Sequence, residues 1–468
     1  MLPFSAPLFY ASRETLPWVD PGTLLGAWCA RPGVAALISD GGPQGRFSYF
    51  MAEPDAEAEL GATENAVTFL KAATAFVRAD DRPGLPPFSG GLIGMAGFEL
   101  GLRLENLPRA PFRIEGGAAW PELIVRRYPG VLAFDHHDKV VTVVGRGGDA
   151  AAAEAARDRL IALWRATETQ PPAAGRLIDA PLRLETPDPV HEDKVAAVIS
   201  QIHAGDLFQA NLARGWTGRL RPDRTPADLM AALHAAGAAP FGAYVDLGPQ
   251  RSGPENIART IVSNSPERFI RLDSDGTLET RPIKGTRPRG ATPDADAALA
   301  RDLLASAKDR AENLMIVDLM RHDLAKVARI GSVAVPALNA LESYANVHHL
   351  VSTVTARLKA GRTAADVLLA TLPPGSVSGA PKVQAMKVIA AMEAARGPYC
   401  GALFTIDAGG AMESSVLIRT IALEDGGQGW NLRAAAGGGI VADSDPREER
   451  IETETKLSLI RKVLEGGG

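Results

Sequence analysis

An amine and a carboxyl seventeen residues apart, Lys284 and Glu267, are the pair of this sequence best suited to chemistry on a small molecule. Asp275-Gly276 lies between them, flanked by two partly apolar runs, and signals a hairpin. With Asp275 and Gly276 as the two turn residues, Ser274 faces Thr277, Leu272 faces Glu279 and Glu267 faces Lys284. Directly opposed side chains have Cβ atoms about 4.5–5.5 Å apart. A three-residue turn shifts this register, and Pro282, which donates no ladder hydrogen bond, marks an edge. Two readings of the pair stay open. One is a solvated cross-strand ion pair, which contributes little to stability. The other is an acid beside an amine nucleophile, which needs a desolvated or cation-rich setting to keep the lysine neutral. Gly285-Thr286 favours the second, because it brings bare backbone and a hydroxyl close to whatever the amine touches.

Other polar residues stand where the pattern expects apolar ones. A helix is expected over Ala307–Val327, and Glu312 lies three, four and seven residues before Met315, Ile316 and Leu319, on the apolar stripe. A carboxylate there is costly unless it is paired or binds a metal. In a last helix expected over Pro446–Leu464, Glu449, Glu452 and Lys456 share one face. That face continues onto Leu459, Ile460 and Val463, so two carboxylates and an ammonium should begin the inward side. Arg419 sits in the β-branched run Ser415–Ile421, expected to be a strand, where an arginine wants a bidentate anion. A buried salt bridge, a surface charge ladder and an internal ion pair are the respective structural alternatives. Gln209 and Asn211 alternate with apolar neighbours and should share one strand face. Gly375–Lys382 opens a helix whose amides could meet a carboxylate, although a plain cap explains it nearly as well. Gly437-Gly438-Gly439 reads as the start of a glycine-rich turn, and His348-His349 as a packed or surface pair.

Ser265-Pro-Glu-Arg-Phe269, Arg281-Pro-Ile-Lys-Gly-Thr-Arg-Pro-Arg289, Gly205–Leu212 and Lys308–Leu319 together resemble the signatures of the chorismate-binding enzymes. The resemblance runs over roughly residues 190–468 and thins before residue 165. It implies an enzyme in which Lys284 is the nucleophile and Glu267 the general acid. It also implies Mg²⁺ held by Glu312 and Glu452, with Glu449 an acidic neighbour. Gly285, Thr286, His349, Tyr399, Arg419, Gly437, Gly438, Gly439 and Lys456 would then surround chorismate, the Gly438 and Gly439 amides joining Arg419 on its enolpyruvyl carboxylate. Members with lysine at the Lys284 position aminate chorismate to 4-amino-4-deoxychorismate, on the way to 4-aminobenzoate and folate. The anthranilate-forming branch usually carries alanine there. Ammonia would come from a glutamine amidotransferase partner, because neither Cys29 nor Cys400 sits in a Gly-x-Cys-x-Gly turn. Anthranilate formation and a non-catalytic regulatory paralogue are the alternatives. The paralogue should lack one of Glu267, Lys284, Glu312 or Glu452, and all four are present. Asp40 stands where some members carry a tryptophan-binding serine, so tryptophan binding is not expected. His322 replaces a more usual asparagine.

The elements that must position these residues follow from composition and pattern. The chain has 468 residues, 46% of them hydrophobic, ample for one large core or several smaller ones. Its net charge of −5 recommends no nucleic-acid partner. No run of apolar residues suits a membrane span, and the first residues lack signal-peptide character. Two cysteines fit a reducing cytoplasm and leave no Cys-rich zinc site. Strands are expected at Val34–Ser39, Gly45–Phe50, Val131–Phe134 and Val140–Val144, and helices at Ala66–Ala79, Ala150–Ala166 and Pro189–Ala204. Gly90–Gly97 lacks the Gly-Lys-Ser/Thr ending of a phosphate loop and should instead let strands approach closely. The resemblance implies an α+β fold, a large antiparallel β-sandwich with surrounding helices. It divides the chain into an N-terminal region 1–166, a linker or crossover 167–188 and a chorismate-binding region 189–468, interwoven as one unit.

Overall fold

Strands with apolar residues on both faces need cover on both sides, and this chain supplies it with four layers. The computed structural model describes residues 3–466 apart from 5, 79–83, 173, 250–256 and 345–346. Among the described residues the strands form a twelve-stranded and a ten-stranded sheet, with antiparallel neighbours throughout. The face-to-face layer contains Val131, Val144, Val245 and Ile261 of the larger sheet and Ile93, Met95, Ile124 and Leu403 of the smaller one. Alternation does the rest. Leu132, Phe134, Val141 and Val143 point the other way, onto the helices Ala150–Arg165, Pro226–Ala236 and Pro446–Glu465. The outer face of the smaller sheet packs on the helices Ala66–Ala73, Ala307–Ala325 and Ala364–Thr371. This is the expected α+β sandwich.

Both sheets take strands from either side of residue 167. Ala35–Ile38 pairs with Phe241–Pro249 in one, and Gly91–Ala96 with Ala402–Asp407 in the other. The second pairing uses its glycines as anticipated. A Cβ on Gly94 would lie 2.2 Å from the Phe404 ring, and one on Gly91 2.2 Å from the Ile406 carbonyl. The expected strands appear as Ala35–Ile38, Phe47–Met51, Gly130–Asp135 and Val140–Gly147. The helix expected from Ala66 ends at Ala73, and Ala79 lies outside the described residues. Among the described residues no helix is long and apolar enough to cross a membrane.

One feature of this topology positions the site. Ala258–Ser265 belongs to the larger sheet and Arg268–Leu272 to the smaller. Met412–Val416 belongs to the smaller and Thr420–Asp425 to the larger. Two segments therefore cross between the sheets in opposite directions, side by side. Ser265 Oγ donates to the Val416 carbonyl at 2.6 Å, Val416 N–H to the Glu267 carbonyl at 3.1 Å, and Asn264 N–H to the Arg419 carbonyl at 3.0 Å.

Candidate active site

Glu267 and Arg419 sit at this corner, one on each crossing segment. Glu267 is buried. Burial raises its pKa, outweighing a hydrogen bond from the Ser376 hydroxyl and the charges of Lys284 and Lys456. Arg419 is not in a strand, contrary to expectation. The run Ser415–Ile421 breaks where it changes sheets, and Arg419 adopts φ +51° between Val416 and Thr420. The apolar stretch looked continuous because both halves are buried, one in each sheet. Among the described residues the Arg419 guanidinium has no hydrogen bond or ion pair, and its walls lower its pKa by desolvation.

Lys284 arrives from the hairpin in a different register from the one expected. The pairs are Arg271↔Glu279 and Leu272↔Leu278, closed by Asp273 N–H to the Thr277 carbonyl at 2.8 Å. The turn therefore has three residues, Ser274-Asp275-Gly276, with Gly276 at φ +82°. Glu267 and Lys284 are not ladder partners and form no ion pair. Lys284 pairs with Leu350 of Val347–Arg357. Its Nζ makes a single long contact, 3.4 Å to the Ser376 carbonyl. Burial lowers its pKa, against Glu312, Glu267 and Glu452, which raise it, while the charge of Lys456 acts with burial.

Gly285 follows at φ +78°, where the register slips by one residue. A side chain there would meet Leu303 at 2.8 Å and Asp309 at 2.9 Å. Thr286 Oγ1 lies 2.9 Å from His349 Nδ1. Burial, helped by Arg419, pushes the His349 pKa down to about 4, so the imidazole is neutral.

The carboxylates come from two helices. The buried face of Ala307–Ala325 is Asn313, Ile316, Val317, Met320, Asp323 and Leu324. Glu312 stands beside that stripe rather than on it, half-buried, with its pKa raised chiefly by burial. In Pro446–Glu465 the buried positions are Glu449, Thr453, Leu457, Ile460 and Leu464. The inward face is thus rotated from the expected one, and Glu452 and Lys456 stand at the rim, paired at 2.6 Å. Burial would raise the Glu452 pKa, but Lys456 lowers it overall. Glu449 Oε1 accepts from Ser444 Oγ at 2.6 Å, while its buried Oε2 has no partner. Among the described residues no three His, Cys, Asp or Glu side chains form a cluster that could hold a metal alone.

Gly437–Gly439 form no turn. They belong to the strand Asn431–Ile440, opposite Ala213–Asn211 of Gln209–Arg219. Asn211 N–H bonds outward to the Ser378 carbonyl and Ala213 N–H outward to Glu393 Oε1. Antiparallel alternation then makes Leu212 and Gly438 the hydrogen-bonded pair and turns the N–H and C=O groups of Gly437 and Gly439 to the other side. Thr420–Asp425 covers that side only as far as Ala434. The Gly437 carbonyl there accepts from Lys456 Nζ at 2.8 Å. The Gly438 amide is therefore unavailable to a ligand, and Gly437 takes its place beside Gly439. Bare backbone also makes room. A Cβ on Gly439 would lie 2.1 Å from Gln209 Nε2 and 3.6 Å from Lys284 Nζ, and one on Gly438 2.7 Å from Glu449 Oε2. Gln209 Oε1 and Asn211 Oδ1 are buried without partners, so these amides are not the satisfied pair that a purely structural role implies.

All the expected site residues except Gly438 line one cavity of roughly 550 Å³. Ser376 and Lys308 line it too. Sequence reasoning missed Lys308, whose only signal is its place one helical turn before Glu312, and gave Ser376 only a general part in the Gly375–Lys382 stretch. That stretch reaches the cavity through Ser376 and Val377, whereas Lys382 is buried behind it. Asp40 lies outside this cavity, exposed, with its carboxylate accepting from Gly42 N–H at 2.8 Å. The cavity thus joins the amines of Lys284, Lys308 and Lys456, the buried Glu267 carboxyl, four further carboxylates, the Gly437 and Gly439 backbone and unpaired Arg419, a set suited to a small polyanion.

The profile of the chorismate binding enzymes matches residues 35–462. The chain is 40% identical over 380 residues to aminodeoxychorismate synthase component 1 of Klebsiella aerogenes, covering 81% of this chain and 78% of that protein. It is 36% identical over 400 residues to anthranilate synthase component 1 of Streptomyces coelicolor, covering 81% and 75%. The crystal structure of anthranilate synthase component I from Streptococcus pneumoniae superposes with a TM-score of 0.72 at 28% identity, covering 88% of this chain and 92% of that one.

Proposed function

The chain belongs to the chorismate-binding enzymes, and from that premise we propose that it converts chorismate and ammonia to 4-amino-4-deoxychorismate. The observation that carries this reading is Lys284, a half-buried amine with one long hydrogen bond, facing the same cavity as a buried carboxyl. In this reading neutral Lys284 Nζ attacks C2 of chorismate while the bond from C4 to its hydroxyl breaks. Glu267 protonates the departing oxygen, a role that its raised pKa suits. Ammonia then bonds to C4 and the C2–nitrogen bond breaks, returning Lys284. Two easier displacements replace one hard one. Arg419 with the Gly437 and Gly439 amides would hold the enolpyruvyl carboxylate.

Glu312 and Glu452 are hard oxygen donors from different helices, with the unpartnered Glu449 Oε2 nearby, and this set fits Mg²⁺ completed by water and substrate oxygens. Bound there, the ion would supply positive charge to the ring carboxylate. A glutamine amidotransferase partner would supply ammonia, since ammonium is a poor source of nucleophile near neutral pH. Both cysteines are buried free thiols, in keeping with a cytoplasmic protein.

The test is incubation of the purified chain with chorismate, an ammonium salt and Mg²⁺, identifying product by mass and spectrum. The expected product is 4-amino-4-deoxychorismate. Anthranilate or isochorismate would assign the chain to a sister activity. Glutamine should not replace ammonium, and turnover with glutamine by the chain alone would refute the partner.

A further inference from the structure

Arg396 lines no part of the cavity, yet its guanidinium reaches three residues that do. It is buried, 2% exposed, in the turn that leads to Tyr399. Nε and Nη2 form a two-pronged pair with Glu393 at 2.8 and 2.9 Å. The remaining donors go to carbonyls from two distant parts of the chain, Nη2 to Asn211 at 2.6 Å and Nη1 to Val377 at 3.0 Å. The guanidinium also lies 4.6 Å from the Phe98 ring centroid and 6.0 Å from that of Tyr399. Glu393 extends the same connection, because its Oε1 accepts from Ala213 N–H at 2.7 Å. The backbone of Arg396 is fixed in turn by Glu99, which accepts from Arg396 N–H at 2.7 Å and Gly397 N–H at 2.9 Å.

The carboxylate takes two of the five N–H donors of the buried guanidinium, and the two carbonyls take two more. Their identity gives the arrangement its meaning. Val377 adjoins Ser376, the residue that meets both reagents: its carbonyl takes Lys284 Nζ and its hydroxyl the Glu267 carboxylate. Asn211 and Ala213 lie opposite Gly439 and Gly437, whose amides face the cavity. One planar fork thus ties the turn that touches nucleophile and acid to the strand that backs the anion-binding glycines.

We propose that Arg396, oriented by Glu393, is a positioning residue that sets Lys284 and Glu267 against the Gly437–Gly439 strand. This rests on the reading of the cavity given above. Lysine cannot substitute, since a point charge with a flexible stem cannot hold a carboxylate and two carbonyls in one plane. The expected consequence falls on the chemical step, because a displacement of about 1 Å at reacting groups can cost on the order of 10²-fold in rate.

The test uses the full chain with Arg396→Lys and the isosteric Glu393→Gln. Four quantities are measured: the thermal midpoint, kcat and KM for chorismate with ammonium and Mg²⁺, and the pH dependence of Lys284 acetylation by an N-hydroxysuccinimide ester without substrate, followed by peptide mass. Folded Arg396→Lys should lose on the order of 100-fold in kcat, with KM changed less than about threefold. Its Lys284 labelling curve should move to higher pH, as a loosened turn admits water to the amine. Glu393→Gln should do the same to a smaller extent, about tenfold in kcat, and it decides the matter if Arg396→Lys does not fold. Wild-type kcat and an unchanged labelling curve in a folded variant would overturn the proposal. If the wild type proves unable to aminate chorismate, the reading of the cavity fails, while the labelling curves still judge the positioning pair.

Discussion

Two desolvated lysines in this chain have opposite surroundings. Lys382 donates to Asp323, to the Thr371 carbonyl at 2.7 Å and to the Pro373 carbonyl at 2.8 Å, so all three of its donors are engaged. Lys284 has only the 3.4 Å contact to Ser376. Burial lowers the pKa of both, and it is the largest influence on each. Asp323 offsets that at Lys382 by direct contact, whereas Lys284 meets its carboxylates only across the cavity. A buried amine with all its donors engaged stabilises the fold. One with donors unused destabilises it slightly and is available to attack a substrate.

The contrast can be broken by removing each amine. Lys284→Ala should lower formation of 4-amino-4-deoxychorismate on the order of 10³-fold or more. Its thermal midpoint should stay level or rise, since only one long hydrogen bond is lost. Alanine also restores the pattern of the anthranilate branch, so anthranilate should be assayed alongside. Glu267→Gln, which retains shape but supplies no acid, should cost about 10²- to 10⁴-fold in rate. Lys382→Met should reverse the pattern. It leaves Asp323, 1% exposed, with only Lys326 at 3.1 Å. Breaking such a buried pair costs about 3–5 kcal/mol, measurable by urea unfolding, while activity per folded molecule should hold. Activity lost without stability in Lys382→Met would erase the distinction.

The smallest expected effect is in the pH–rate profile. Attack needs Lys284 neutral, so rate climbs with pH through a pKa depressed below 10.5. Departure of the hydroxyl needs Glu267 protonated, so rate falls with rising pH through a pKa raised above 4.5. The profile should therefore be a bell set by one pKa lowered from 10.5 and one raised from 4.5. Lys456→Met removes a charge that lowers the pKa of both Lys284 and Glu267, so both limbs should move to higher pH. An unmoved rising limb would separate Lys456 from the amine.

Much of this site was legible because its residues carry short signatures. Lys284-Gly285-Thr286 and the polar positions on two amphipathic helices single themselves out by residue type. Geometry was less legible. A left-handed Gly276 lengthens the hairpin turn by one residue, and local pattern did not distinguish the two turns. Arg419 looked like a strand residue because the run around it stays apolar while changing sheets. Gly437–Gly439 looked like a turn because what fills the space beside these glycines, Gln209, Lys284 and Glu449, comes from elsewhere in the chain. In Gly91–Ala96 the same residue type serves packing, with Phe404 filling the space. The sandwich itself was inferred from family resemblance, since alternation shows that strands have two buried faces but not which sheet covers which.

The most direct test of Lys284 as a nucleophile is the intact-protein mass of the wild type after incubation with chorismate and Mg²⁺ in the absence of ammonia. The account predicts an adduct of one chorismate less one water, mapped to Lys284 by peptide mass and absent from Lys284→Ala. No adduct in the wild type, together with near-normal turnover by Lys284→Ala, would contradict it.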